Sequence, residues 1–237
     1  QVIITAAPQT LDAVIHVTDM ASARERILTA VEAKPVDAIL TPSERHLEFT
    51  AELADELGLL HAKPEVVRRV RDKFAQRSAL AEHGVPCPKF ARIRSDADLE
   101  RAIETVPMPV VLKPEYGAGG VDTYRVSTAD ELRSTYRRAV DHLTRAGLGP
   151  VSFICEELLV GVPWHEGDGW GDYCSVESFV WRGEVMHACV TDRTPLATPF
   201  RETGCIIPST LPADRLNEVH ACAAAALRAL DVSHGVA

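Results

Sequence analysis

The stretch PVVLKPEYGAGGVDTYRV (109–126) decides the reading of this chain. PVVLK is a short apolar run of the buried-strand type, and it delivers Lys113 to its end. The glycine-rich YGAGG (116–120) follows at once. Glycines let a backbone approach a phosphate closely and aim its amides at the oxygens. Lys113 sets a positive charge beside that loop. The order of residues excludes two common phosphate loops: no G-K-[ST] follows the glycines, and G-x-G-x-x-G is absent. A β-hairpin closed by a glycine turn is the other reading of the same residues, and the stretch alone leaves both open.

On either side the chain alternates apolar runs with helical patterns. Toward the N-terminus, VIIT (2–5), AVIHVT (13–18) and VDAILT (36–41) are expected strands. Residues 21–33 have helical composition. Ser43 is the expected cap of a helix whose apolar positions are Leu47, Ala51, Ala54 and Leu57, closed by Gly58. A second helix is expected from Pro64 through Val67, Val70, Phe74 and Leu80 to Gly84. Strands alternating with helices predict a parallel, Rossmann-like sheet. GVPCPKF (84–90) is a break, with the domain boundary expected near it.

Beyond the break, KFARI (89–93) predicts a strand, and Ser95-x-x-Asp98 opens a helix through Ile103. Thr128-x-x-Glu131 opens another, ending near Gly147. VSFICEELL (151–159) predicts a strand. YCSVESFVW (173–181) and EVMHACVT (184–191) flank an expected turn at Arg182-Gly183. The last helix follows Pro212, with Leu216, Val219, Ala223, Leu227 and Leu230 on one stripe. GVPWHEGDGWGDY (161–173) interrupts the strands as a long loop, read either as functional or as a plain surface excursion.

Composition narrows the function. The 237 residues are 46% hydrophobic and carry a formal net charge of −9. That balance argues against a nucleic-acid surface. No apolar run approaches the roughly 20 residues needed to span a bilayer, and no secretory signal is visible. The six cysteines form no C-x-x-C pair, which speaks against a zinc or disulfide framework and for a reducing cytoplasm. Of 25 basic residues only Lys34, Lys63, Lys73, Lys89 and Lys113 are lysines. A phosphate site that needs a compact point charge is one reason to keep lysine.

Three further pieces stand in fixed order around the glycine-rich stretch: RDKFAQRSALAEHGVPCP (71–88), ICEELLVG (154–161) and DYCSVESFVWRGEV (172–185). Together the four resemble the ATP-grasp superfamily, and within it the carboxylate–amine and L-amino-acid ligases. The resemblance covers essentially the whole chain. It implies an α/β and α+β architecture. A Rossmann-like pre-ATP-grasp domain with its linking helix would occupy 1–84. An incomplete ATP-grasp nucleotide-binding domain would occupy 85–237.

The resemblance also implies roles for residues. Lys73 and Lys113 are the implied phosphate lysines. Gly117, Ala118, Gly119 and Gly120 belong to the implied flap over the outer phosphates, here without a serine hydroxyl. The implied adenine hinge runs from Glu156 to Leu159. In it Glu157 offers its carbonyl, Leu159 its N–H, and Glu156 lies near the base's amino group. Asp172 is the implied ribose acid, with Glu166 and Asp168 as alternatives because of the preceding insertion. RTPLATPFRETGCIIPS (193–209) resembles a stretch that lines the substrate pocket. Arg193 and Glu202 are its implied substrate-binding residues, although Glu202 also reads as a solvated loop glutamate.

The implied reaction uses ATP and Mg2+ to turn a carboxylate into an acylphosphate that an amine attacks, releasing ADP and phosphate. The implied partners are small-molecule carboxylate and amine substrates, expected to be amino acids, and a second copy in a homodimer, with no nucleic acid and no membrane. Metal ligands and catalytic residues are expected past Ala237, so none is assigned within the chain. Both ends are expected to be cut, and this chain alone is expected to be inactive. A biotin carboxylase-type component and a non-catalytic nucleotide-binding module are the competing readings.

Overall fold

Period-two alternation separates a core face from a working face in the first sheet. The computed structural model describes residues 14–147 and 151–236. In β2 (Val110–Pro114) and β4 (Phe153–Glu157), Val110, Leu112, Phe153 and Cys155 are fully buried. They pack with Leu99, Ala102, Leu132, Tyr136 and Ala139 from α5 (Asp96–Thr105) and α6 (Ala129–Arg145). Each such leucine or phenylalanine stabilises the fold by about 1.5–3 kcal/mol. Val111, Lys113 and Glu156 turn to the opposite face. The strand order is β1-β4-β2-β3, with β1 at Phe90–Ile93 and β3 at Tyr124–Val126, and every pairing is antiparallel.

Both covering helices begin where the sequence places their caps. Ser95 Oγ accepts from Asp98 N at 3.2 Å, and Asp98 accepts from Arg94 N at 3.0 Å. Thr128 Oγ1 accepts from Glu131 N at 3.2 Å, and Glu131 accepts from Ser127 N at 2.8 Å. These are capping boxes in which the return bond goes one residue before the cap.

The second sheet has the order β7-β6-β5-β8, from Cys205–Ile206, Glu184–Arg193, Cys174–Trp181 and His234–Val236. Arg182 and Gly183 both take positive φ, 52° and 81°, and close the β5–β6 hairpin as expected. α7 (Ala213–Ala229) joins this sheet to α4 (Lys73–Glu82) through Ala79, Leu80, Val85, Ala229 and Leu230. Among the described residues no helix is long and apolar enough to cross a membrane.

The strand expected at 2–5 lies outside the described residues, and the rest of the N-terminal part departs from expectation in three respects. Residues 14–18 and 36–41, which flank α1 (Met20–Ala33), form no ladder, and Val36 and Leu40 are exposed. β-Branched composition makes a strand only where a neighbour supplies hydrogen bonds, and none of the described residues does so here. Ser43 caps a 3-10 turn (Glu44–His46) without a side-chain bond, and α2 (Leu47–Glu56) follows it. Finally, the helix expected from Pro64 to Leu80 is two helices. α3 (Pro64–Arg71) stops at Asp72, whose ψ of 106° leaves the helical range.

That break has a function in the fold. Asp72 becomes the N-cap of α4, its carboxylate accepting from Ala75 N at 2.9 Å. Lys73 N then donates to Glu115 O at 3.1 Å, fastening the start of α4 to the end of β2. Phe74 stacks edge-on against Phe90 at 5.5 Å, with the Arg92 guanidinium 4.1 Å over its ring. Loss of the cap in Asp72→Ala is expected to lower stability by about 1–2 kcal/mol in urea unfolding. An unchanged midpoint would contradict the cap's role.

Candidate functional site

The working face of the first sheet forms the floor of a cleft of about 400 Å³. α4 contributes Lys73 and Arg77, which lie four residues apart and so on one helix face. β2 contributes Val111 and Lys113, and β4 contributes Glu156. Residues 117–121 and Thr123 form one side, Glu157, Leu158 and Leu159 another, and Phe200 reaches in from beyond β6.

The floor is held by charge. Val111 pairs with Glu156 in the ladder, and Lys113 with Ile154. Lys113 and Glu156 are therefore diagonal neighbours, within reach of long side chains. Lys113 Nζ donates to Glu156 Oε2 at 2.6 Å, and Arg77 Nε donates to Oε1 at 3.0 Å. Glu156 is only 5% exposed, so it needs such partners. Lys73 Nζ donates to Gly117 O at 2.7 Å. Burial, and then the neighbouring Lys113 ammonium, hold the Lys73 amine below its usual range. Three cations and two carboxylates line the cleft, a local positive excess in a chain of net charge −9.

The glycine-rich loop adds donors. Among the described residues, the amides of Gly117, Ala118, Gly119 and Gly120 have no protein acceptor. Consecutive free amides beside a cation form a concavity suited to an anion. The Leu159 amide is likewise without a protein acceptor, whereas Glu157 N and Leu158 N are taken by Lys89 O and Pro109 O at 2.8 and 2.9 Å.

Residues 70–146, from α3 through α6, match the model of the RimK-like ATP-grasp domain. The chain carries an ATP-grasp domain. It is 30% identical over 194 residues to the alanine–anticapsin ligase of Bacillus subtilis (strain 168), covering 79% of this chain and 41% of that protein. It is 32% identical over 229 residues to carnosine synthase 1 of Gallus gallus, covering 90% of this chain and 24% of that one. The chain thus spans well under half the length of these relatives. The fold resembles an L-amino acid ligase structure from Bacillus licheniformis, with a TM-score of 0.71 at 23% identity over 92% of this chain and 48% of that one. It also resembles the biotin carboxylase domain of the Hydrogenobacter thermophilus 2-oxoglutarate carboxylase. There the TM-score is 0.73 at 18% identity, over 94% and 49% of the two chains.

Lys73, Lys113, Gly117–Gly120, Glu156, Glu157 and Leu159 all line the one cleft. Asp172 is not among its lining residues. Its carboxylate accepts from Gly161 N at 2.8 Å and closes the neck of the 161–172 insertion. A side chain at Gly161 would meet Asp172 O at 1.9 Å, so the neck needs glycine. Glu166 and Asp168 are exposed on the insertion. Arg193 and Glu202 also lie outside the lining, paired with each other at 3.1 Å. Arg193 Nη2 donates to Ser175 Oγ at 2.6 Å.

The insertion folds back on β6. His165 stacks on Trp170 at 3.9 Å and lies 4.8 Å from Trp164. Its Nε2 meets the fully buried Asp192 at 2.7 Å, and Asp192 also accepts from Ser209 Oγ, Thr210 N and Thr210 Oγ1.

Sequence reasoning missed Arg77, Val111, Thr123 and Phe200. Arg77 and Val111 were reachable, one from the four-residue spacing to Lys73 and the other from the two-residue spacing to Lys113. Phe200 arrives by long-range folding and left no local signal. It matters to the loop, because a Cβ on Gly120 would stand 2.6 Å from Phe200 O, at a φ of 71°. Gly119 has a similar φ, 65°, but open space around it. Gly120→Ala is therefore expected to destabilise more than Gly119→Ala, by more than about 1 kcal/mol against the native chain. Thermal unfolding of both variants checks this, and equal midpoints would contradict the close approach.

Proposed function

We propose that this chain is the nucleotide-binding part of an ATP-dependent carboxylate–amine ligase. In the proposed reaction the terminal phosphoryl group of ATP passes to a carboxylate. An amine displaces phosphate from the acylphosphate, and ADP is released. The observation that carries the reading is convergence. Lys73, Lys113, four free loop amides and the free Leu159 amide meet in one cleft. Cations and amides suit a phosphate chain, and the edge at 157–159 suits a base. Preorganised donors of this kind stabilise charge that spreads over phosphoryl oxygens in the transition state. The two lysines and the loop gather on the phosphate tail, which favours transfer of the terminal group over adenylation.

The substrate class rests on the relatives. An alanine–anticapsin ligase, a carnosine synthase and an L-arginine-specific L-amino acid ligase are all similar to this chain, and we propose amino acids as carboxylate and amine. Arg193 and Glu202 are the residues we assign to them, the carboxylate suiting a substrate ammonium group. Magnesium is proposed with the nucleotide, since one structural relative is in complex with MgADP. Among the described residues no group of three or more His, Cys, Asp or Glu side chains gathers for a metal. We therefore assign no magnesium ligand here and route no step through one.

Two measurements test the proposal. In calorimetry with ADP, Lys113→Ala is expected to lose about tenfold or more in affinity, the value of one charge-assisted hydrogen bond. Lys63→Ala, whose ammonium pairs with Asp55 at 2.7 Å away from the cleft, is expected to change little. Equal affinities would remove Lys113 from the site. In a product assay on the longest natural form of the protein, ADP and phosphate are expected, and only when carboxylate and amine are both present. AMP as the main product would overturn the mechanism.

A further inference from the structure

Arg77 lines the cleft and falls within the 71–88 motif, yet no role is assigned to it above. Its guanidinium is fixed on two sides. Nε donates to Glu156 Oε1 at 3.0 Å, and Nη1 donates to Gln76 Oε1 at 2.8 Å. The other oxygen of Glu156 is taken by Lys113 at 2.6 Å. The Glu156 side chain is 6% exposed, against 22% for Arg77 and 18% for Lys113. So a nearly buried carboxylate is held between two cations, one on a helix and one on a strand.

The nucleotide reading places a conflicting demand on Lys113. Its ammonium must reach a phosphate, and it is already committed to Glu156. Lysine carries three donors on a flexible stem, so it can turn. Each hydrogen bond it gives to a phosphate weakens its hold on Glu156. A buried carboxylate left without a partner is strongly unfavourable. The second cation resolves the conflict. Arginine is planar and permanently charged, and it is less suited than lysine to changing partners.

Resting on that reading, we infer that Arg77 is a positioning residue. It keeps the Glu156 carboxylate paired while Lys113 turns from Glu156 to the phosphate. Arg77 touches Glu156, and its effect on the nucleotide passes through Lys113.

The test is a cycle of four proteins titrated with ADP in a calorimeter: the unsubstituted chain, Arg77→Gln, Glu156→Gln and the double substitution. Arg77→Gln is expected to bind ADP about tenfold more weakly, because Lys113 stays with an otherwise unpaired carboxylate. In the Glu156→Gln background no carboxylate needs a partner, so adding Arg77→Gln is expected to cost less than about threefold. Arg77→Lys keeps a cation beside Glu156 and is expected to bind within about threefold of the unsubstituted chain. It also covers the case in which Arg77→Gln fails to fold. A loss of the same size in both backgrounds would overturn the inference, since Arg77 would then act directly on the phosphate or through the fold at large. So would an Arg77→Gln chain that binds as well as the unsubstituted one. If the unsubstituted chain itself binds no ADP, the nucleotide reading fails, and the inference with it.

Discussion

The antiparallel register of β2 on β4 is the constraint on which the remainder of the structure depends. Val110, Leu112, Phe153 and Cys155 share the face that packs on α5 and α6. The same register sets Lys113 and Glu156 side by side on the other face. A slip of β2 by one residue would turn Lys113 into the apolar core and expose Val110 and Leu112. Core formation and site formation are therefore one event in this sheet. The energy that fixes the site comes from apolar burial on the opposite side.

The cleft gathers positive potential in an acidic chain by placement. Lys73 reaches it because Asp72 ends one helix and starts the next, and because Lys73 N bonds to Glu115 O. Glu115 is itself held by Arg92, which also reaches Asp72 at 3.4 Å. This cluster ties α4, β1 and the end of β2 together just behind the glycine-rich loop. Burial depresses the Lys73 amine, as does the closeness of Lys113. Two cations confined this closely repel each other, and a bound polyanion would relieve that repulsion.

Much of this was legible in the chain because local rules act locally. Ser95 and Thr128 cap their helices through contacts four residues long, and Arg182-Gly183 turns its hairpin through two positive φ values. The cleft residues 73, 113, 117–120, 156, 157 and 159 could be named from motif order. What failed depended on partners elsewhere. Residues 36–41 have strand composition but no neighbour to pair with among the described residues. The stretch from Pro64 to Leu80 has unbroken helical periodicity, yet Asp72 breaks it because capping α4 and bonding Tyr116 and Arg92 outweigh one more turn. The resemblance implies Asp172 as a ribose acid, while in the structure its carboxylate closes the neck of the insertion through a contact that the motif does not record. The stack of Trp164, His165 and Trp170 over Asp192 rests on contacts across more than twenty residues that no periodicity records.

The central claim is that one cleft, floored by Lys113 and Glu156 and bordered by residues 117–121 and 157–159, holds a nucleotide. A crystal structure of this chain grown with ADP tests it most directly. The account predicts phosphate oxygens within hydrogen-bond distance of Lys73, Lys113 and the 117–120 amides, with the base against Leu159 N–H. ADP ordered at any other place, with those groups out of reach, would contradict it.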